Sequence, residues 1–243
     1  VLGSSKFVCG PKGLEGAPER ERSLKRVGGL MIETLLQVVR GRALRNLVLE
    51  SMGFEGLFKA AKDYLQPVLQ ALALGWLLAY LPTWASGPAE QSALLVGPVY
   101  LLLFLLAAFV SRRAHRLADR SGGEERAARL LWWANAGVYA LLLPALIFEF
   151  YPFVIVGFGA LFALQNLWRP ILISRFDAQG PEAAGATVLS IENQARALST
   201  AILAPILGAA VDAVRAGDWG GDFWPVGLAG LLLSAAFLSR RFR

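Results

Sequence analysis

Three stretches limit what this chain can fold into. Residues 91–111 hold no charged side chain over 21 positions, and 130–148 and 150–168 hold none over 19 each. A helix needs about 20 apolar residues to cross a bilayer core, so each stretch is long enough to do so. Residues 223–239 give 17 more, sufficient if Arg240 and Arg241 snorkel to the headgroups. Between Arg196 and Asp212 only 15 uncharged residues remain, so a fifth span must start near Val188 and carry Glu192 and Arg196 within it. With 56% hydrophobic and 17% charged residues against the roughly 25% charged of a soluble domain, the reading is an all-α polytopic membrane protein.

Charge sets the expected orientation. The loop 112–129 carries six arginines, whereas 82–91 and 149–152 carry no Lys or Arg. Lys and Arg favour the cytoplasmic side, which predicts six transmembrane helices with both termini cytoplasmic, in the cell (inner) membrane. That parity allows residues 42–85 one crossing. As a single helix these 44 residues would be about 66 Å long, twice a bilayer core, so part of the segment lies outside the span. Hydropathy alone places that crossing at 67–84 and leaves 44–66 as a cytosolic helix; the other expected spans are 91–112, 128–148, 150–173, 188–212 and 223–240. Residues 1–29, rich in Gly, Pro and charge, read as a cytoplasmic linker, and the chain is expected to be the C-terminal part of a longer protein. Residues 30–41 place Leu30, Leu35 and Val38 near one face and read as an amphipathic interfacial helix or as an extension of the next helix.

The net charge of +6 does not point to nucleic acid, because the basic residues flank apolar segments instead of alternating with aromatics. One cysteine, Cys9, and one histidine, His115, cannot furnish a zinc site. No cofactor or metal is expected. Neither a Gly-x-Ser-x-Gly run nor a His-Glu-x-x-His pair is present, and the chain is not expected to be an enzyme.

The chemistry concentrates in EGLFKAAKDYLQP, residues 55–67. At ~100° per residue, Glu55, Lys59, Lys62 and Gln66 share a sector of roughly 60°, with Asp63 at its edge. Glu55–Lys59 and Lys59–Asp63 stand four apart and are expected to neutralise each other. Two readings compete: a solvated amphipathic helix in the cytosol, or a stripe lining a wet cavity within a bundle. In lipid each charge costs about 2.5–3.5 kcal/mol, so the second requires protein or water opposite.

Three further segments carry a family resemblance. RAHRLADRSGG, 113–123, resembles the loop motif of the major facilitator superfamily, Gly-x-Leu-Ala-Asp-Arg-x-Gly-Arg. Leu117, Ala118, Asp119, Arg120 and Gly122 match, whereas His115 and Gly123 depart from it. GATVLSIENQARALSTAILAPILGAAVD, 185–212, is similar to the family's eleventh span. LRNLVLESMGFEGLFKAAKDYLQPVL, 44–69, resembles its seventh. The resemblance covers about residues 30–243. It implies the C-terminal six-helix half of a secondary active transporter, with its first span over 44–70 and an outer extension to 85, an N-terminal six-helix half as partner and a small solute as cargo.

In that reading Glu55 and Asp63 are the candidate proton carriers, and Lys59 and Lys62 hold an anionic solute or keep the carboxylates ionised. Tyr64 and Gln66 are candidate hydrogen-bonding groups, as are Gln165 and Asn166, which interhelical bonding explains equally well. Arg169 is expected to snorkel to the headgroups. Asp119, Arg120 and the i, i+4 pair Glu192–Arg196 are expected to act in gating. Trp132 and Trp133 are expected at the interface. Gly157, Gly159, Gly208, Gly227 and Gly230 are expected to permit close helix approach. The alternatives are a non-transporting six-helix scaffold or receptor, and a half-size transporter working as a homodimer.

Overall fold

The computed structural model describes residues 38–72, 88–179, 185–217 and 219–239, with scattered positions in 29–36. Among the described residues every regular element is a helix. In chain order they are α1 (Arg42–Ser51), a turn of π-helix (Met52–Gly56), α2 (Leu57–Lys62), α3 (Leu65–Leu72), α4 (Pro88–Ser111), α5 (Ala114–Ser121), α6 (Glu124–Ile147), α7 (Tyr151–Gln179), α8 (Gly185–Gly217) and α9 (Trp224–Ser239). The expected linker, save Gly29, and the expected outer extension beyond residue 72 lie outside the described residues.

The long helices overrun the uncharged stretches. α6 starts at Glu124 and not near residue 128, because Gly122 (φ 75°) closes α5 in the left-handed region and Gly123 (φ 119°) opens the next helix. Glu124 and Glu125 then face its positive N-terminal dipole. α7 runs to Gln179 and α8 to Gly217, so both keep several charges inside helical geometry.

Among the described residues three helices, α6, α7 and α8, are each long and apolar enough to cross a membrane, and there are four if α4 and α5, bent by 45° at their junction, count as one broken span. α9 is a shorter apolar helix of 16 residues. The first expected span, 44–70, is not one helix. It widens into the π-turn at Met52–Gly56 and breaks again at Asp63–Tyr64.

α6 is the central element and packs along α7 and α9. Its Tyr139 ring occupies the space where a side chain on Gly230 of α9 would stand, so a glycine is required there. Asn135 of α6 donates to Ser234 of α9 (2.9 Å), a buried polar bond between helices. Gly157 and Gly227 also admit close neighbours, Leu142 and Leu143, whereas Gly159 and Gly208 have ordinary clearance.

Two apolar clusters fill the interior. One gathers Phe54, Trp132, Trp168 and Phe237, with Phe54 stacked on Trp168 (centroids 4.3 Å apart) and Trp132 on Phe237 (4.6 Å). Trp132 is therefore a core residue and not an interfacial anchor, while Trp133 is exposed. The other cluster gathers Leu57, Leu65, Val68, Tyr139 and Phe158. The outer surface is apolar as well: Leu101, Phe104, Leu141, Phe153, Val156, Ile202 and Leu232 are all exposed. Large side chains of this kind over most faces of a bundle suit lipid as the solvent.

In the interfacial segment the structure separates two residues expected on one face. Val38 is buried, with Thr34, whereas Leu35 is exposed beside Leu36 and Val39. Gly41, with extended backbone, divides this segment from α1.

Candidate functional site

Glu55 lies in the π-turn, between Phe54 of one apolar cluster and Leu57 of the other. It is 1% exposed. A π-turn adds a residue to the helical circuit and disturbs the regular backbone bonding, and such turns recur at functional sites. Here α8 supplies the compensation. Ser199 Oγ donates to the Met52 carbonyl (2.9 Å), and Thr200 Oγ1 reaches the Gly56 carbonyl (3.3 Å). Gly56 lets the helices approach, since a Cβ there would stand 2.6 Å from Ser199 Oγ.

The Glu55 carboxylate does not pair with Lys59. Arg169 Nη1 of α7 donates to Oε1 (3.2 Å), and Arg196 Nη1 of α8 donates to Oε2. The same Arg169 Nη1 donates to Glu192 Oε1 (2.9 Å), which also accepts from Ser51 Oγ. Arg196 Nη2 reaches Asn193. Two carboxylates and two guanidiniums from three elements thus form one network of zero formal charge. Compensation of this kind is what a buried ionic group requires. Among the described residues two polar atoms of the network have no protein partner, Glu192 Oε2 and Arg196 Nε, both buried. The network therefore retains one acceptor and one donor position.

This arrangement corrects three expectations. Arg169 does not snorkel; it is 30% exposed and bridges two acids. Glu192 and Arg196 do not pair along their own helix, because each reaches across to another. The Glu55–Lys59–Asp63 ladder is not formed, and among the described residues Lys59, Lys62 and Asp63 make no ion pair. Long side chains on neighbouring helices outcompete the local i, i+4 partners once packing brings them within reach.

The remaining candidates sit apart from the network. Lys59, Lys62 and Tyr64 are half-buried, while Asp63 and Gln66 are exposed. The Tyr64 ring meets Phe223 edge-on (centroids 6.1 Å apart). Asn166 donates to the Phe162 carbonyl of its own helix (2.8 Å). Gln165, one turn before Arg169, has a buried carbonyl oxygen without a partner. Asp119 and Arg120 are exposed, with Asp119 3.7 Å from His115.

A second buried ionic group, not anticipated from the sequence, lies nearby in the chain. Arg175 of α7 holds Glu50 of α1 (2.6 Å) and Glu125 of α6 (2.8 Å). Ser174 donates to Glu124 (2.7 Å). These bonds clamp α1, α6 and α7 together. Glu50 precedes Ser51, so the clamp and the network share one turn of helix. Among the described residues no group of three or more His, Cys, Asp or Glu side chains can hold a metal ion.

No protein-family model matches the chain, and neither a curated protein nor a solved structure is detectably similar to it.

Proposed function

We propose that this chain is the C-terminal six-helix half of a facilitator-type secondary transporter. It moves a small solute across the cytoplasmic (inner) membrane by alternating access, together with an N-terminal half of the same architecture. Both termini lie in the cytoplasm, and the arginine loop around Asp119 and Arg120 faces inward. The observation that carries this reading is the Glu55–Arg169–Glu192–Arg196 network. Ionisable groups inside a membrane bundle are costly, and they are kept where charge is moved or bound.

The arrangement supports a definite mechanism. Arg169 is shared between Glu55 and Glu192. A proton taken up at the free Glu192 oxygen weakens its hold on Arg169 and leaves Glu55 as the stronger partner. That exchange alters how α7 and α8 are tied to the π-turn, and ties of this kind couple protonation to a change in helix packing. The polar edge formed by Lys59, Lys62, Asp63 and Gln66 faces the second half across the solute path and supplies cationic and hydrogen-bonding groups to the solute.

Energised inside-out vesicles containing the full gene product, incubated with a cell metabolite extract, test the proposal. At least one solute should accumulate beyond that in control vesicles, and Glu55→Gln or Arg169→Gln should abolish the difference at unchanged protein level. A non-transporting scaffold gives identical solute profiles for vesicles with and without the protein.

A further inference from the structure

A second feature lies away from the network, where α4 bends by 45° into α5. A cavity of about 350 Å³ opens there, lined by Arg113, Arg116 and Arg120 together with the apolar Phe109, Val110 and Leu167. Arg116 and Arg120 stand at i and i+4 on one face of α5, and Arg113 is its N-cap residue. All three are exposed, and among the described residues none forms an ion pair. Of the nearby acids, Glu124 accepts from Ser174 and Glu125 pairs with Arg175, while Asp119 lies 3.7 Å from His115. The Arg113 guanidinium lies 3.4 Å over the Phe109 ring, which orients it toward the end of α4. α5 is held in place on its other side by the buried Ala114 and Ala118.

We propose that this cavity binds an anionic phospholipid. The three guanidiniums hold the headgroup phosphate, and the first carbons of an acyl chain run along Phe109, Val110 and Leu167. Charge complementarity carries the assignment: three exposed cations without an ion pair among the described residues stand at one end of the apolar helix α4, where a lipid phosphate lies when that helix spans the bilayer. Arginine matches phosphate oxygens with paired donors, and the apolar wall distinguishes a lipid from a free anion. Basic pockets at the cytoplasmic ends of membrane helices bind headgroups by the same chemistry.

Thermal unfolding of the purified full-length protein in a non-ionic detergent provides the test. Dioleoyl phosphatidylglycerol should raise the midpoint at concentrations where dioleoyl phosphatidylcholine and inorganic phosphate do not. Replacing all three arginines by glutamine should weaken the apparent phosphatidylglycerol affinity by roughly a hundredfold at low salt. The corresponding triple lysine variant should keep the preference for the anionic lipid. Equal stabilisation by phosphatidylcholine, an equal effect of inorganic phosphate, or unchanged lipid affinity in the triple glutamine variant would each overturn the assignment. So would displacement of the lipid by polyglutamate through the same arginines, which would make this face a protein contact. Solute flux is not the readout, so failure here leaves the transport proposal standing.

Discussion

Glu55 illustrates how a buried acid depends on groups far away in the sequence. Both its oxygens are taken by arginines, 114 and 141 residues further along the chain. Removing the carboxylate leaves two guanidiniums competing for Glu192 in a poorly hydrated place. Glu55→Ala should therefore lower unfolding stability in detergent by about 3–5 kcal/mol, the range for breaking a buried pair. Lys59→Ala and Asp63→Ala, which break no ion pair, should stay within about 0.5 kcal/mol. A similar comparison separates Arg175 from Arg215. Arg175 is 5% exposed and tied to two acids, so its alanine variant should lose several kcal/mol. The Arg215–Asp222 pair is solvent-exposed, and Arg215→Ala should change stability by less than about 1 kcal/mol. Chemical unfolding of the two variants side by side measures the difference.

Among the elements, glycine contacts give the clearest test of packing. Gly230→Ala drives a methyl group into the buried Tyr139 ring and should destabilise by about 1–3 kcal/mol. Gly159→Ala meets only Leu103 at 3.8 Å and should be neutral or slightly stabilising. Thermal midpoints of both variants check this. The uncharged runs made α4, α6, α7, α8 and α9 legible in the sequence, because lipid solvation imposes a length and a polarity on any span. Their ends were less legible. Charges such as Glu124, Arg169 and Arg175 interrupt the apolar run without interrupting the helix, since each finds a partner on another element. The π-turn at Met52–Gly56 leaves no periodic signal, because it rests on hydroxyls of α8 and on the close approach at Gly56. Glu55, Glu192 and Arg196 stood out in the sequence as charges near apolar runs, but their grouping did not. Arg169 was read by its own helix position, and Ser51, Glu50 and Arg175 gave no local sign of their partners.

For the whole molecule, the apolar exterior and the charged interior point the same way. Leu101, Phe104, Phe153 and Ile202 lie outside, while Glu50, Glu55, Arg175 and Glu192 lie inside. A bundle of this kind is stable in lipid when its ionic groups cancel within the protein, as they do in the Glu55–Arg169–Glu192–Arg196 network; Arg175 is shared by two acids, one of which, Glu125, is exposed. It can serve transport only if the polar edge of Lys59, Lys62, Asp63 and Gln66 is wetted from each side of the membrane in turn. Sided cysteine labelling in native membranes tests this most directly. With Cys9 replaced by serine, Lys62→Cys and Gln66→Cys in the full gene product are exposed to a membrane-impermeant maleimide from one face and then from the other. Reaction from both faces, with the balance shifted by Glu192→Gln, is the result expected. Reaction confined to one face in both backgrounds would contradict a coupling role for the network.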